Sequence, residues 1–84
     1  MEQKIQYDYS LLRGRIRELY GTEKRFAEEM NKSEIGMSAG AFSNKINGKS
    51  DFTQPEISVM CRLLNIAENE ISTYFFKQKY ELNS

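Results

Sequence analysis

Histidine is absent, cysteine occurs once and no long apolar run appears, and each shortage removes a class of protein. A lone thiol, Cys61, cannot close an internal disulfide. Without histidine beside it there is no ligand set for zinc, which needs three or four Cys or His side chains. Nothing staples the fold covalently, so an 84-residue chain must stand on apolar packing, with the thin margin of its size. Freedom from disulfides suits a reducing cytosol. Met1 to Ser10 has no apolar stretch of the signal-peptide kind, and nowhere do about 18 apolar residues run together. These features lead to the expectation of a single cytoplasmic domain over residues 1–84 with no membrane partner.

Catalytic groups are equally scarce. There is no histidine to serve as a general base and no glycine loop to cradle a phosphate. Glu28 and Glu29, being adjacent, cannot converge on one helix face. No enzymatic activity and no cofactor are expected. Charge of one sign is also missing, since twelve Lys and Arg balance twelve Asp and Glu. A strongly basic chain would advertise nucleic-acid binding better. The distribution is mildly uneven: nine bases against seven acids through Lys49 give +2, and three against five from Ser50 onward give −2.

What the chain does have is helix punctuation. Leu12, Ile16, Leu19 and Tyr20 recur with helical spacing behind Asp8 or Ser10, and Gly21 closes that helix. Thr22 caps a second helix that buries Phe26, Ala27 and Met30, with Glu23 in its first turn and Glu28 and Glu29 toward water. Ser38 caps a third, which presents Phe42 and Ile46 inward and stops at Asn47-Gly48. An Asn-Gly pair also suits a hairpin turn, but no alternating strand leads into this one. Thr53-Gln54-Pro55-Glu56 is a capping box opening a fourth helix on Ile57, Met60, Cys61 and Leu64, ended by Asn65. Cys61 is then a small core residue. A fifth element opens near Ala67 to Asn69 and carries Ile71, Tyr74 and Phe75. From Phe76 to Leu82 apolar and polar residues alternate, which fits a weak strand or a frayed helix end.

The third helix is the candidate functional element. Over Ser38–Asn47, Ala39, Gly40, Ser43 and Asn44 fall on the sides away from Phe42 and Ile46, with no bulk to obstruct close approach. A major groove about 12 Å wide admits such a helix. Asn44 would bond adenine N6 and N7, and Ala39 would touch a thymine methyl. Asn47 and Lys49, just beyond the helix, are placed for phosphates. The plain alternative is a short polar helix facing solvent.

The pattern Thr22-x-x-x-Phe26-Ala27-x-x-Met30, then Gly36-Met37-Ser38-x-x-x-Phe42-Ser43-x-x-Ile46-Asn47-Gly48-Lys49, resembles the helix-turn-helix of the lambda-repressor and Cro family. The flanking Tyr7-Asp8-Tyr9-Ser10-x-Leu12-Arg13-Gly14-Arg15-Ile16 and Tyr74-Phe75-Phe76 are similar to small phage regulatory proteins of Gram-positive hosts. The resemblance spans roughly Tyr7 to Phe76. It implies an all-α, five-helix domain, with the helix-turn-helix at about residues 22–48, that binds a double-stranded operator as a homodimer. On that reading Ala39, Gly40, Ser43 and Asn44 read bases, and Thr22, Lys24, Lys45, Asn47 and Lys49 hold phosphates. Residues 70–84, with Ile71, Tyr74, Phe75, Phe76, Tyr80 and Leu82, form a candidate dimerisation tail.

Two departures from the family carry expectations of their own. The family runs almost directly from the residue matching Met30 to the glycine matching Gly36, whereas Asn31-Lys32-Ser33-Glu34-Ile35 intervenes here. The second helix should therefore end near Asn31, with a lengthened turn that folds Ile35 or Met37 back onto the core. The family also often places a phosphate-holding glutamine where Glu23 stands, and a carboxylate repels phosphate, so that contact is either lost or moved to Thr22 or Lys24. Zero net charge, Glu23 and the long turn support a rival reading: a modulator that keeps the fold but pairs with a repressor protein.

Overall fold

The computed structural model describes residues 5–79. Five α-helices follow one another: α1 (Ser10–Tyr20), α2 (Glu23–Lys32), α3 (Ala39–Ile46), α4 (Gln54–Leu64) and α5 (Ile71–Phe75), the last led in by a 3-10 turn at Glu68–Glu70. The all-α, five-helix architecture is the expected one.

Each start has a chemical cause. Ahead of α1, the Asp8 carboxylate accepts the Ser10 N–H at 2.9 Å and the Ser10 hydroxyl at 2.6 Å. Thr22 and Ser38 accept the N–H groups of Arg25 and Ala41, each at 3.1 Å, so α2 and α3 begin at hydroxyl caps. In the α4 capping box, Thr53 Oγ1 accepts the Glu56 N–H at 3.3 Å and Glu56 Oε1 accepts the Thr53 N–H at 2.7 Å. The stops also follow the sequence. The N–H of Gly21 bonds the Arg17 carbonyl, and Asn65 turns left-handed at φ 54°. After α3, Gly48 takes φ +83°, a conformation that side chains resist, so the Asn47-Gly48 pair ends a helix and makes no hairpin.

The core is threaded by rings that meet edge to face or tilted. Tyr20 of α1 meets Phe26 of α2 at 5.1 Å between centroids, Phe26 meets Phe42 of α3 at 5.6 Å, and Phe42 meets Phe52 at 6.2 Å. Phe52 then receives Phe75 of α5 at 6.2 Å and Tyr9 at 5.6 Å. Leu12, Ile16, Met30, Met60 and Leu64 are wholly enclosed beside them. Cys61 is buried there as expected, and burial pushes its thiol pKa up, so it stays protonated. Helix α1 also closes the far end of α4: Arg15 donates to the Leu64 carbonyl and Tyr20 Oη to the Leu63 carbonyl, both at 2.9 Å. One expected core residue lies elsewhere: Leu19 is 42% exposed, because Tyr20 takes the inward place at the end of that stripe.

Helix α2 continues one residue past Asn31, to Lys32. The segment from Ser33 to Ser38 is the lengthened turn, and it is well tied. Met37 is buried and Ile35 packs against the core from a half-buried position, so both residues fold back. Asn31 Nδ2 donates to the Met37 carbonyl at 3.1 Å, and Arg62 of α4 grips both oxygens of Glu34 at 2.6 and 2.8 Å.

Near the two limits of the described residues, residues 6–8 run antiparallel to residues 77–79. Tyr7 bridges Gln78, with Asp8 N–H on the Lys77 carbonyl at 2.6 Å and Lys79 N–H on the Gln6 carbonyl at 2.8 Å. The alternating tail is thus a single rung of β-pairing as far as Lys79, and no strand forms among the described residues. Tyr80 and Leu82 lie outside the described residues. No helix among those described is long and apolar enough to cross a membrane.

Candidate nucleic-acid interface

Helix α3 divides cleanly. Phe42 and Ile46 are buried at 2% and 4% exposure, whereas Ala39, Gly40, Ser43 and Asn44 are exposed. Their small size leaves the backbone of the helix accessible along its outer side. No acid occurs anywhere between Ile35 and Ser50, so the segment that carries α3 brings no carboxylate of its own. The Asn44 side chain makes no hydrogen bond to another described residue, and its amide is available to a base edge. Ser43 is partly engaged, since its Oγ accepts from Asn47 Nδ2 at 3.3 Å.

The expected phosphate-holding residues separate into two groups. Thr22 and Lys24 are exposed at the start of α2, and Lys49 is exposed beyond α3. Lys45 and Asn47 are engaged inside the protein instead. Lys45 Nζ sits 2.7 Å from both oxygens of Glu56, and the pair is mostly buried, at 17% and 12% side-chain exposure. Burial alone would raise the Glu56 pKa, but hydrogen bonds from Lys45 and the Thr53 N–H, with the lysine charge, outweigh it and hold the carboxyl below 4.5. Asn47 folds over the end of α3: its Nδ2 returns to the Ser43 carbonyl at 2.8 Å and its Oδ1 accepts from Arg13 at 2.7 Å.

Arg13 is the residue that sequence reasoning missed. Its Nη1 donates to both oxygens of Glu23 at 2.8 and 3.0 Å, and Nη2 reaches the Ile46 carbonyl at 3.0 Å together with Asn47. A side chain from α1 thus ties the first turn of α2 to the last turn of α3 and fixes the two helices relative to each other. Arg17 adds a further bond to Glu23 at 2.9 Å. Glu23 therefore carries two guanidinium groups, and the cluster as a whole is positive. The available signal was the spacing of Arg13 and Arg17, four apart on α1 and so on one face, ahead of an acid that opens the next helix.

The fold and this face define a small five-helix domain whose third helix is held by its neighbours and open on its outer side. The model of the DUF739 family, described as a protein of unknown function, matches residues 5–78. The chain belongs to that family. No curated protein matches it.

Proposed function

We propose that the protein is a sequence-specific DNA-binding transcriptional regulator of the phage Cro and repressor kind, inserting α3 into the major groove. The observation that carries this reading is the outer face of α3: small, acid-free and exposed, on a helix anchored by Phe42 and Ile46. Ala39, Gly40, Ser43 and Asn44 meet base edges, with Asn44 as the bidentate adenine reader. Thr22, Lys24 and Lys49 hold phosphates around it, while Lys45 and Asn47 position the helix from behind.

The rival reading, a modulator acting on a repressor protein, drew on Glu23 as a charge opposed to DNA. With Arg13 and Arg17 on that carboxylate the corner is cationic, which favours DNA.

One recognition helix covers only a few base pairs, and such modules gain affinity by pairing across half-sites about 34 Å apart. The homodimer is best supported by the terminal pairing, where Ile5 and Phe76 stand 56% and 48% exposed and Tyr7 lies edge-on to Phe76 at 6.0 Å. Large apolar side chains gathered at one place on a small domain suit a two-fold contact.

The deciding experiment is a mobility-shift assay with DNA flanking the gene, against an equal length of unrelated DNA, over a salt series. A regulator shifts the flanking DNA preferentially and loses affinity steeply with salt. Absence of any shift at low salt, with the protein folded, overturns the reading.

A further inference from the structure

Three cationic side chains stand exposed around the start of α2, and they differ in how they are held. Lys24 and Arg25 extend from α2 without an ion pair among the described residues. Arg17 reaches the same corner from α1 and is fixed there by Glu23. The Glu23 carboxylate is shared: Arg13 occupies both oxygens from the inner side, and Arg17 adds one Nη2 bond at 2.9 Å from the outer side. Arg17 is the open member of the three, with 61% side-chain exposure against 28% for Arg13 and 23% for Glu23.

Charge accounting completes the picture. Arg13 and Glu23 neutralise each other in a bidentate pair, so the positive charge left over resides on Arg17. A guanidinium has five N–H donors, and one of them holds Glu23. The others face solvent from a side chain whose direction is already set, which lowers the ordering cost of binding an anion. The planar fork also matches phosphate geometry bidentately, an advantage that Lys24 lacks.

We infer that Arg17 is a phosphate-contacting residue of the DNA interface, and that Glu23 and Arg13 are its positioning residues. This rests on the DNA-binding reading proposed above. The acid at the start of α2 then supports phosphate binding at one remove, by aiming an arginine from the preceding helix. Arg13 contributes at both ends of the device, since its second nitrogen anchors Asn47 and Ile46 at the close of the recognition helix.

The test uses the full chain and a fluorescein-labelled duplex of mixed sequence, with binding followed by anisotropy from about 50 to about 200 mM salt. Arg17→Gln is expected to flatten the slope of log K against log salt by about one unit, so the affinity loss across that range shrinks about fourfold. Arg17→Lys, which keeps the charge, should retain the parental slope but bind more weakly. Glu23→Asp keeps the charge but shortens the reach to Arg17, so its slope stays near the parent while affinity falls. Thermal melting of each variant shows that the fold persists. A purely structural Arg17 would change the melting temperature and leave the slope untouched, and that result overturns the assignment while the DNA reading stands. A parent that binds no duplex at all overturns both.

Discussion

Lys45 on the inner flank of α3 holds Glu56 in the capping box of α4, its ammonium 2.7 Å from each carboxylate oxygen. Helix α3 is therefore secured at its last turn to the start of the next helix, by a pair that is mostly shielded from water. Removing the lysine alone leaves a carboxylate whose burial is only partly compensated by Thr53. Lys45→Met is expected to cost about 1–3 kcal/mol, between the values for exposed and for fully buried pairs. Urea unfolding measures it. A change below about 0.5 kcal/mol would place the pair among surface contacts of little weight.

Acid should weaken the same pair. Glu56 and Glu34 both titrate lower in the folded protein than in the unfolded chain; Glu34, hydrogen-bonded to Arg62, drops to about 2. The unfolded chain then takes up protons first, so stability is intact above the ordinary carboxyl value of 4.5 and is lost as pH falls from there toward about 2. Glu34 stands in water and its share should fade with added salt. Melting temperatures measured from pH 6 downward, in low and high salt, check this, and Glu56→Gln should flatten the salt-insensitive part. A profile indifferent to both substitution and salt would contradict it.

Phe42 touches rings on both sides, Phe26 at 5.6 Å and Phe52 at 6.2 Å. Phe42→Ala breaks that chain of rings in its middle and is expected to cost about 3–5 kcal/mol. For a domain of this size the loss approaches the whole stability. A melting temperature within a few degrees of the parent would show that the chain of rings carries little.

Base reading and phosphate holding separate on mutation. Asn44→Ala should weaken binding to the preferred DNA by about 1–3 kcal/mol and relax the preference at one position, leaving random DNA nearly unaffected. Lys24→Ala should weaken both DNAs alike and lower the salt slope by about one unit. Two variants that behave identically on both DNAs would remove the distinction between the residues.

The dimer is tested at the terminal pairing. Phe76→Asp puts a charge into the exposed apolar patch beside Tyr7 and should shift the sedimenting species from dimer to monomer at tens of micromolar protein. The same mass for both proteins, whether monomer or dimer, argues against this surface.

The helices were legible because caps and stops act locally. Thr22, Ser38, Thr53, Gly21 and Asn65 each take the place that their own chemistry dictates. Burial of Phe42 and Ile46 followed from spacing alone. The site was less legible, and the reason is distance along the chain. Lys45 looked like a phosphate ligand until Glu56, eleven residues on, was brought beside it. Asn47 looked like a second phosphate ligand until Arg13, thirty-four residues earlier, reached it. Sequence spacing orients a side chain on its own helix, but it does not say which charge another helix will bring to meet it. Glu23 illustrates the cost: taken alone it opposes DNA, and with two arginines on it the corner reverses sign.

The pairing of residues 6–8 with 77–79 has a topological side. With Gln6 and Lys79 joined through the backbone, the path of the polypeptide comes close to a ring, and the place where it is cut becomes nearly arbitrary for the contacts inside. A short linker across that gap, with new ends opened in the exposed stretch after Gly48, would give a circular permutant that keeps every helix intact. Gln6 and Lys79 lie side by side on one corner of the fold, so a bulky group attached at either position would crowd the other.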